Sequence, residues 1–271
     1  MNSLRHVDLL KVFIVDIETA PCAADATTLH PDRRAHWATF CGKRHQKEID
    51  GGRTTDELFE KAGLYAEFGQ VVCISVGFFY QKGDELRFRV KSFASTDECE
   101  VLRGFAGLLG EKAPYGTRGA KLPGADPAGS FLCAHNGREF DYAYLGRRMV
   151  ICGQPLPPML DIAGFRPWDL PHLLDTMDMW KFGDNKGYTS LALLAHVFGI
   201  PSPKDDIDGS QVGRVFWEEN DVARIATYCQ KDVETTARIL LHLRGSKELW
   251  ETVKVEQVPF GSEKPATMRV V

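Results

Sequence analysis

Apolar and polar positions along the chain switch between a period of two and a period near 3.6, and the switches mark its elements. Residues 12–18 read Val-Phe-Ile-Val-Asp-Ile-Glu after a polar N-terminus. So apolar and β-branched a run predicts a strand buried on both faces. Thr19-Ala20-Pro21 breaks it, and residues 22–69 follow as a polar, mostly helical insertion. Residues 70–80 (QVVCISVGFFY) predict a second strand and 85–93 (ELRFRVKSF) a third, joined by a hairpin turn at Gly83-Asp84. Ser95 or Thr96 caps a helix over 97–110. Phe131 to His135 is a further buried strand, Asn136-Gly137 turns the chain, and a helix runs over 140–152. Residues 171–182 fit a short strand or a helical turn equally well. A helix over 190–198 stops at Gly199, with Pro201 beyond. The long helix over 221–244 carries Val222, Ile225, Cys229, Val233, Ala237 and Leu240 at helical spacing. Between these lie a Gly- and Pro-rich loop at 111–129 and a polar loop at 202–214, and residues 246–271 form an extended or frayed tail.

This order predicts a mixed α/β sheet covered on both faces. No repeat, low-complexity tract or linker divides the chain, so residues 1–245 read as one domain with 22–69 inserted. The length of 271 residues leaves room for a large core, and 44% hydrophobic with 26% charged residues is an ordinary globular balance. A net charge of −4 excludes a global basic field for nucleic acid, so any such binding is local or bridged by metal ions. The seven cysteines contain no C-x-x-C pair and several fall in apolar stretches, which fits core thiols in the reducing cytosol. Asp8 and Lys11 interrupt the only apolar stretch near the N-terminus, so no signal peptide is expected, and no apolar run spans a membrane.

The chemistry centres on Asp16 and Glu18. Side chains two apart on a strand share a face, so two carboxylates point the same way from a strand that should be dry. Like charges held close in a dry setting repel. Either they are protonated or a hard cation such as magnesium or manganese neutralises them. The second D-x-E, Asp232-Val233-Glu234, is helical, and residues two apart on a helix do not face each other. Asp141 stands just past a buried strand at a helix start, where it can reach over the strand end. Tyr228 and Asp232 are four apart on the last helix, on one face at the edge of the apolar stripe.

Together, Asp16-Ile17-Glu18, Asn136-x-x-x-Phe140-Asp141 followed by Tyr144-Leu145, and Tyr228-x-x-x-Asp232 resemble the three motifs of the DEDD superfamily of 3′-to-5′ exonucleases. The tyrosine of the third motif is that of the DEDDy subgroup. The second motif is similar to that of the proofreading domain of B-family DNA polymerases, apart from Ala143 where those polymerases often carry proline. Val71 to Gly77 and Asp208-Gly209-Ser210-Gln211-Val212 resemble the stand-alone exonucleases related to that domain. The resemblance implies a ribonuclease H-like fold, a mixed five-stranded sheet with helices on both faces. It also implies cleavage at the 3′ end of single-stranded DNA with release of nucleoside 5′-monophosphates, using two ions, Mg2+ or Mn2+, about 4 Å apart. In that scheme Asp16 bridges both ions, Glu18 and Asp232 complete one, and Asp141 serves the other through water. Tyr228 orients the attacking water, and Thr19, Asn136 and Phe140 hold the terminal nucleotide.

Two other readings use the same residues: an exoribonuclease of the superfamily, and a catalytically silent nucleic-acid-binding module. A polymerase or repair partner in trans finds no support in the chain. Arg33, Arg34, Lys43, Arg44 and Lys47, interleaved with Trp37 and Phe40, read first as an amphipathic helix with solvated charges and second as a single-strand grip. Cys22, His36, Cys41 and His45 match no zinc spacing, and Asp206-x-Asp208-Gly209 fails as an EF-hand. Asp175 and Asp178, in an apolar context, read first as a helix cap or surface acids and second as acids behind the metal ligands; Arg138 and Lys186 read first as solvated charges and second as phosphate contacts.

Overall fold

The computed structural model describes residues 7–112, 129–166, 169–184, 187–201, 207–258 and 260. Strands β1 (Val12–Pro21), β2 (Gly69–Lys82) and β3 (Glu85–Ala94) form an antiparallel meander. β4 (Phe131–Ala134) pairs parallel with β1, and β5 (Leu173–Asp175) pairs parallel with β4. β6 (Lys254–Gln257) pairs parallel with β3 at the opposite edge. The spatial order is β5-β4-β1-β2-β3-β6.

The helices are α1 (Pro31–Arg44), α2 (Gln46–Asp50), α3 (Glu98–Lys112), α4 (Asp141–Ile151), α5 (Thr176–Lys181), α6 (Leu191–Val197), α7 (Val212–Arg214) and α8 (Val222–Arg244). Residues 171–182, ambiguous in sequence, hold both β5 and α5. The Gly- and Pro-rich loop falls largely outside the described residues, as do Lys186 and Asp206.

The alternation of side chains along β1 sorts the two helical layers. Phe13, Val15 and Ile17 face one way and pack with Val101, Leu102 and Phe105 of α3 and with Leu145 and Met149 of α4. Val12 and Ile14 face the other way, against Val233, Ala237 and Leu240 of α8. Gly77 on β2 makes that second approach close: a Cβ there would stand 2.6 Å from Val233 Cγ1 and 2.3 Å from the Phe88 ring. Helix α8 starts where Asp221 accepts the Arg224 amide and ends at Gly245, whose φ of 74° suits glycine.

The sheet has six strands rather than the five expected. The tail contributes β6, which runs from Arg87↔Lys254 to Val90↔Gln257 in register. Glu256 receives Arg87 at 2.6 Å and Arg89 at 2.7 Å. Its sequence, KVEQ, is mostly polar because an edge strand facing water needs no apolar face, so no hydrophobic pattern announces it. Residues 22–69 carry α1 and α2, and their aromatics are structural. Trp37 is fully buried against Phe59 and Phe68, its Nε1 donates to Thr55 O at 2.7 Å, and Phe40 packs on Tyr65. Cys41 lies in the same cluster, and His45 bridges Glu48 and Tyr65.

Candidate active site

Past Ile14 the side of β1 that faces α8 changes character. The positions that follow on that face are Asp16 and Glu18, paired across to Ser75 and Cys73 on β2. A register shift between Glu18 and Thr19 then bends the strand. Asp16 is half-buried and Glu18 is 7% exposed. On the other side, β4 pairs with β1 only as far as Ile14↔Cys133. Beyond that point the Ile17 amide donates to Asp141 Oδ1 at 3.2 Å, which brings the first residue of α4 over the end of the sheet. From α8, Cys229 reaches Asp16, its Sγ–H donating toward Oδ2 at 3.3 Å and the carbonyl at 3.4 Å. One turn on, Asp232 takes the side-chain hydrogen bond of Tyr228. Chain segments more than a hundred residues apart thus meet at one sheet end.

Burial raises the Asp16 carboxyl well above the usual carboxylate range, and the charges of Asp232 and then Asp141 raise it further. Glu18 is raised the same way, by burial first and then by Asp16, Asp232 and Asp141. Asp141 is pushed up to about 7, chiefly by burial and further by the charge of Asp175, against the lowering effect of its backbone hydrogen bonds. The Tyr228 hydroxyl is pushed up by burial and by Asp232, Glu18 and Asp16. Asp16 and Glu18 are thus held back from ionising by burial and by the carboxylates around them, a condition that a bound divalent cation relieves. Oxygen donors from carboxylates suit a hard ion. Ligand atoms of Asp16, Glu18 and Cys229 lie within 4.8 Å of one another. The donor set of this sheet end, carboxylates with one thiol beside them, fits a divalent cation.

Thr19 is half-buried and hydrogen-bonds Tyr144, whose hydroxyl donates to Gly63 O at 2.8 Å. Phe140 packs against the Tyr144 ring, 5.2 Å between centroids. Asn136 has a left-handed φ of 64°, and its buried Oδ1 has no hydrogen-bond partner. The remaining polar candidates have structural surroundings. Asp178 is exposed and pairs with Lys181 at 2.9 Å, His172 bonds Met159 O, and His196 is exposed. His135 is clasped between Thr176 Oγ1 and Thr189 O. The sequence reading missed the contact between Cys229 and Asp16; the only available signal was the position of that cysteine between Tyr228 and Asp232.

Residues 128–257 match the family described as "Predicted 3'-5' exonuclease related to the exonuclease domain of PolB". The matched span contains Asn136, Asp141, Tyr228 and Asp232, whereas Asp16 and Glu18 precede it. The resemblance to 3′–5′ exonucleases read from the motifs holds. No curated protein matches the chain. Among solved structures, the fold is similar to that of the family B DNA polymerase from the hyperthermophilic archaeon Pyrobaculum calidifontis, with a TM-score of 0.50 and 17% identity over 87% of this chain. The chain spans 24% of the length of that polymerase. At this identity the likeness is one of fold, a ribonuclease H-like mixed sheet with helices. Among the described residues no helix is long and apolar enough to cross a membrane.

Proposed function

We propose that this 3′–5′ exonuclease removes nucleoside 5′-monophosphates one at a time from the 3′ end of single-stranded DNA. The observation that carries the reading is the convergence of Asp16, Glu18, Asp141 and Asp232 on one sheet end, each of the first two raised by its neighbours' charges. Two divalent ions, Mg2+ or Mn2+, would be held by these four carboxylates and would supply positive charge at the scissile phosphate and a water of lowered pKa. Asp16 and Glu18 stand on a strand that pairs with β2 at both positions, and the Ile17 amide between them is held by Asp141. The Tyr228 hydroxyl, tied to Asp232, orients the attacking water rather than deprotonating it, since its own pKa lies far above neutrality. The Oδ1 of Asn136, without a hydrogen-bond partner among the described residues, and the half-buried ring of Phe140 support their assignment, with Thr19, to holding the terminal nucleotide. The seven free thiols suit a reducing compartment, and we place the enzyme in the cytosol.

A 5′-labelled single-stranded DNA, incubated with Mg2+, with Mn2+ and with a chelator, tests this reading. A ladder shortening from the 3′ end in the metal lanes alone is expected. Folded protein that leaves the DNA intact with both metals would overturn it, and a labelled RNA in parallel tells deoxyribonuclease from ribonuclease.

A further inference from the structure

We propose that Asp175 is a positioning residue for the second carboxylate motif, holding the turn that aims Asn136 and Asp141; the inference rests on the exonuclease reading above. Asp175 is the last residue of β5 and is 2% exposed. Its Oδ1 accepts the amides of Met177 at 2.9 Å and Asp178 at 3.4 Å, which is an ordinary cap for α5. A cap needs no more. Yet Oδ1 also accepts the Asn136 amide at 2.9 Å, and Oδ2 accepts the Arg138 amide at 3.0 Å. One buried carboxylate therefore stitches two loops together.

The stitched turn is tight. Asn136 sits at φ 64°, a left-handed conformation that costs a non-glycine residue energy. Gly137 is packed so closely that a Cβ would meet the Ala134 Cβ at 2.5 Å and the Tyr142 ring at 3.0 Å. From this turn the hydrogen bonds run straight to the site. Asn136 O accepts the Phe140 amide at 3.0 Å, Gly137 O accepts the Tyr142 amide at 3.0 Å, and Asp141 between them reaches the Ile17 amide beside Asp16. The carboxylate geometry of Asp175 thus sets where α4 begins, and with it where Asp141 stands. Asp175 touches no substrate atom in this account; it acts through Asn136 and Asp141.

Asp175→Asn is the sharp variant. Its amide keeps one acceptor for the cap, but turns a donor toward the Arg138 amide. Asp175→Ser preserves a good cap while being too short to reach the turn. Leu109→Ala, in the core beneath α3, supplies a destabilised comparison away from the site. Mn2+ titration by calorimetry, amide hydrogen exchange, and kcat and KM on single-stranded DNA are measured for each. Expected for both Asp175 variants are faster exchange at Arg138, a metal affinity weaker by about 10–100-fold, and a kcat lowered with KM within a factor of about two. Leu109→Ala should lose stability and keep metal affinity and kcat per folded molecule. If either Asp175 variant folds and binds Mn2+ as the wild type does, the proposal is overturned. A wild type that binds Mn2+ without cleaving DNA would count against the exonuclease reading alone, since the metal titration still reports on Asp175.

Discussion

Helix α4 presents two polar groups inward, Asp141 at its first residue and Arg148 two turns on, and both are almost wholly buried. The Arg148 end is saturated. Its Nε donates to Glu98 Oε1 at 2.8 Å, Nη2 also bonds Glu98, and Nη1 donates to Ala66 O at 2.7 Å. Glu98 in turn accepts the Val71 amide at 2.7 Å and the Cys152 thiol at 3.2 Å. The Asp141 end is the reverse. It has a backbone amide for a partner and lies among other carboxylates whose pKa it raises. The contrast teaches how a buried acid is to be read. Where a guanidinium and amides account for its oxygens, it holds elements together. Where its neighbours are acids, burial favours its protonated form unless a cation supplies the counter-charge.

The largest expected effect breaks the acidic end. Asp16→Ala should abolish detectable cleavage while the metal-free protein melts no lower than the wild type, because one repelling charge has gone. Cleavage at the wild-type rate by the folded variant would remove Asp16 from the site. Next comes the saturated end. Arg148→Met strands Glu98 as a buried, uncompensated charge, for which a loss of about 3–5 kcal/mol is expected in denaturant unfolding. Glu98→Gln added to it should recover part of that loss. Turnover per folded molecule should be unchanged, and a specific drop in turnover would mean that the two ends of α4 are not independent.

Asp141 gives the comparison a pH axis. Its folded pKa of about 7 lies above the ordinary aspartate value of 3.8. The folded state therefore binds an extra proton between these values, as the raised Asp16 and Glu18 do too, and metal-free stability should fall as pH rises from about 4 to about 7. Asp141→Asn removes its share of that slope. The variant should melt higher than the wild type at pH 8 and alike near pH 4, with Mn2+ reversing the order at pH 8 by stabilising only the wild type. A wild type whose metal-free melting temperature rises over this range would contradict the assignment.

What could be read from the sequence divides along the same line. Asp16 and Glu18 stand out because carboxylates interrupt a periodic apolar strand, and Tyr228 and Asp232 because they border a helical stripe. Periodicity reports a residue's face, so it finds groups that violate the face they occupy. It does not report partners. Glu98 and Arg148 are 50 residues apart and each looks like a solvated helix charge. Asp175 shows its cap in sequence, but its bonds to Asn136 and Arg138 depend on β4 and β5 being neighbours. Strand β6 went unread for a related reason: its stability lies in backbone pairing and in Glu256 meeting Arg87 and Arg89, none of which needs an apolar residue.

The smallest effect separates two residues one turn apart. Tyr228 and Asp232 share a hydrogen bond and a helix face, so loss of either disturbs the same corner. Their chemistry differs. Asp232 brings a charge to a place where cations are needed; Tyr228 brings a hydroxyl that burial and three acids keep protonated. Tyr228→Phe deletes that hydroxyl and leaves the ring packed, so turnover should fall by less than the roughly hundredfold that a positioned general base supplies at minimum. Asp232→Asn keeps the shape and deletes the charge, and should cost much more, together with weaker Mn2+ binding that Tyr228→Phe does not share. Should Tyr228→Phe prove the more damaging in single-turnover assays, the tyrosine is acting on the reacting water in a way that orientation alone does not explain, and the division between charged and orienting groups at this sheet end would have to be redrawn.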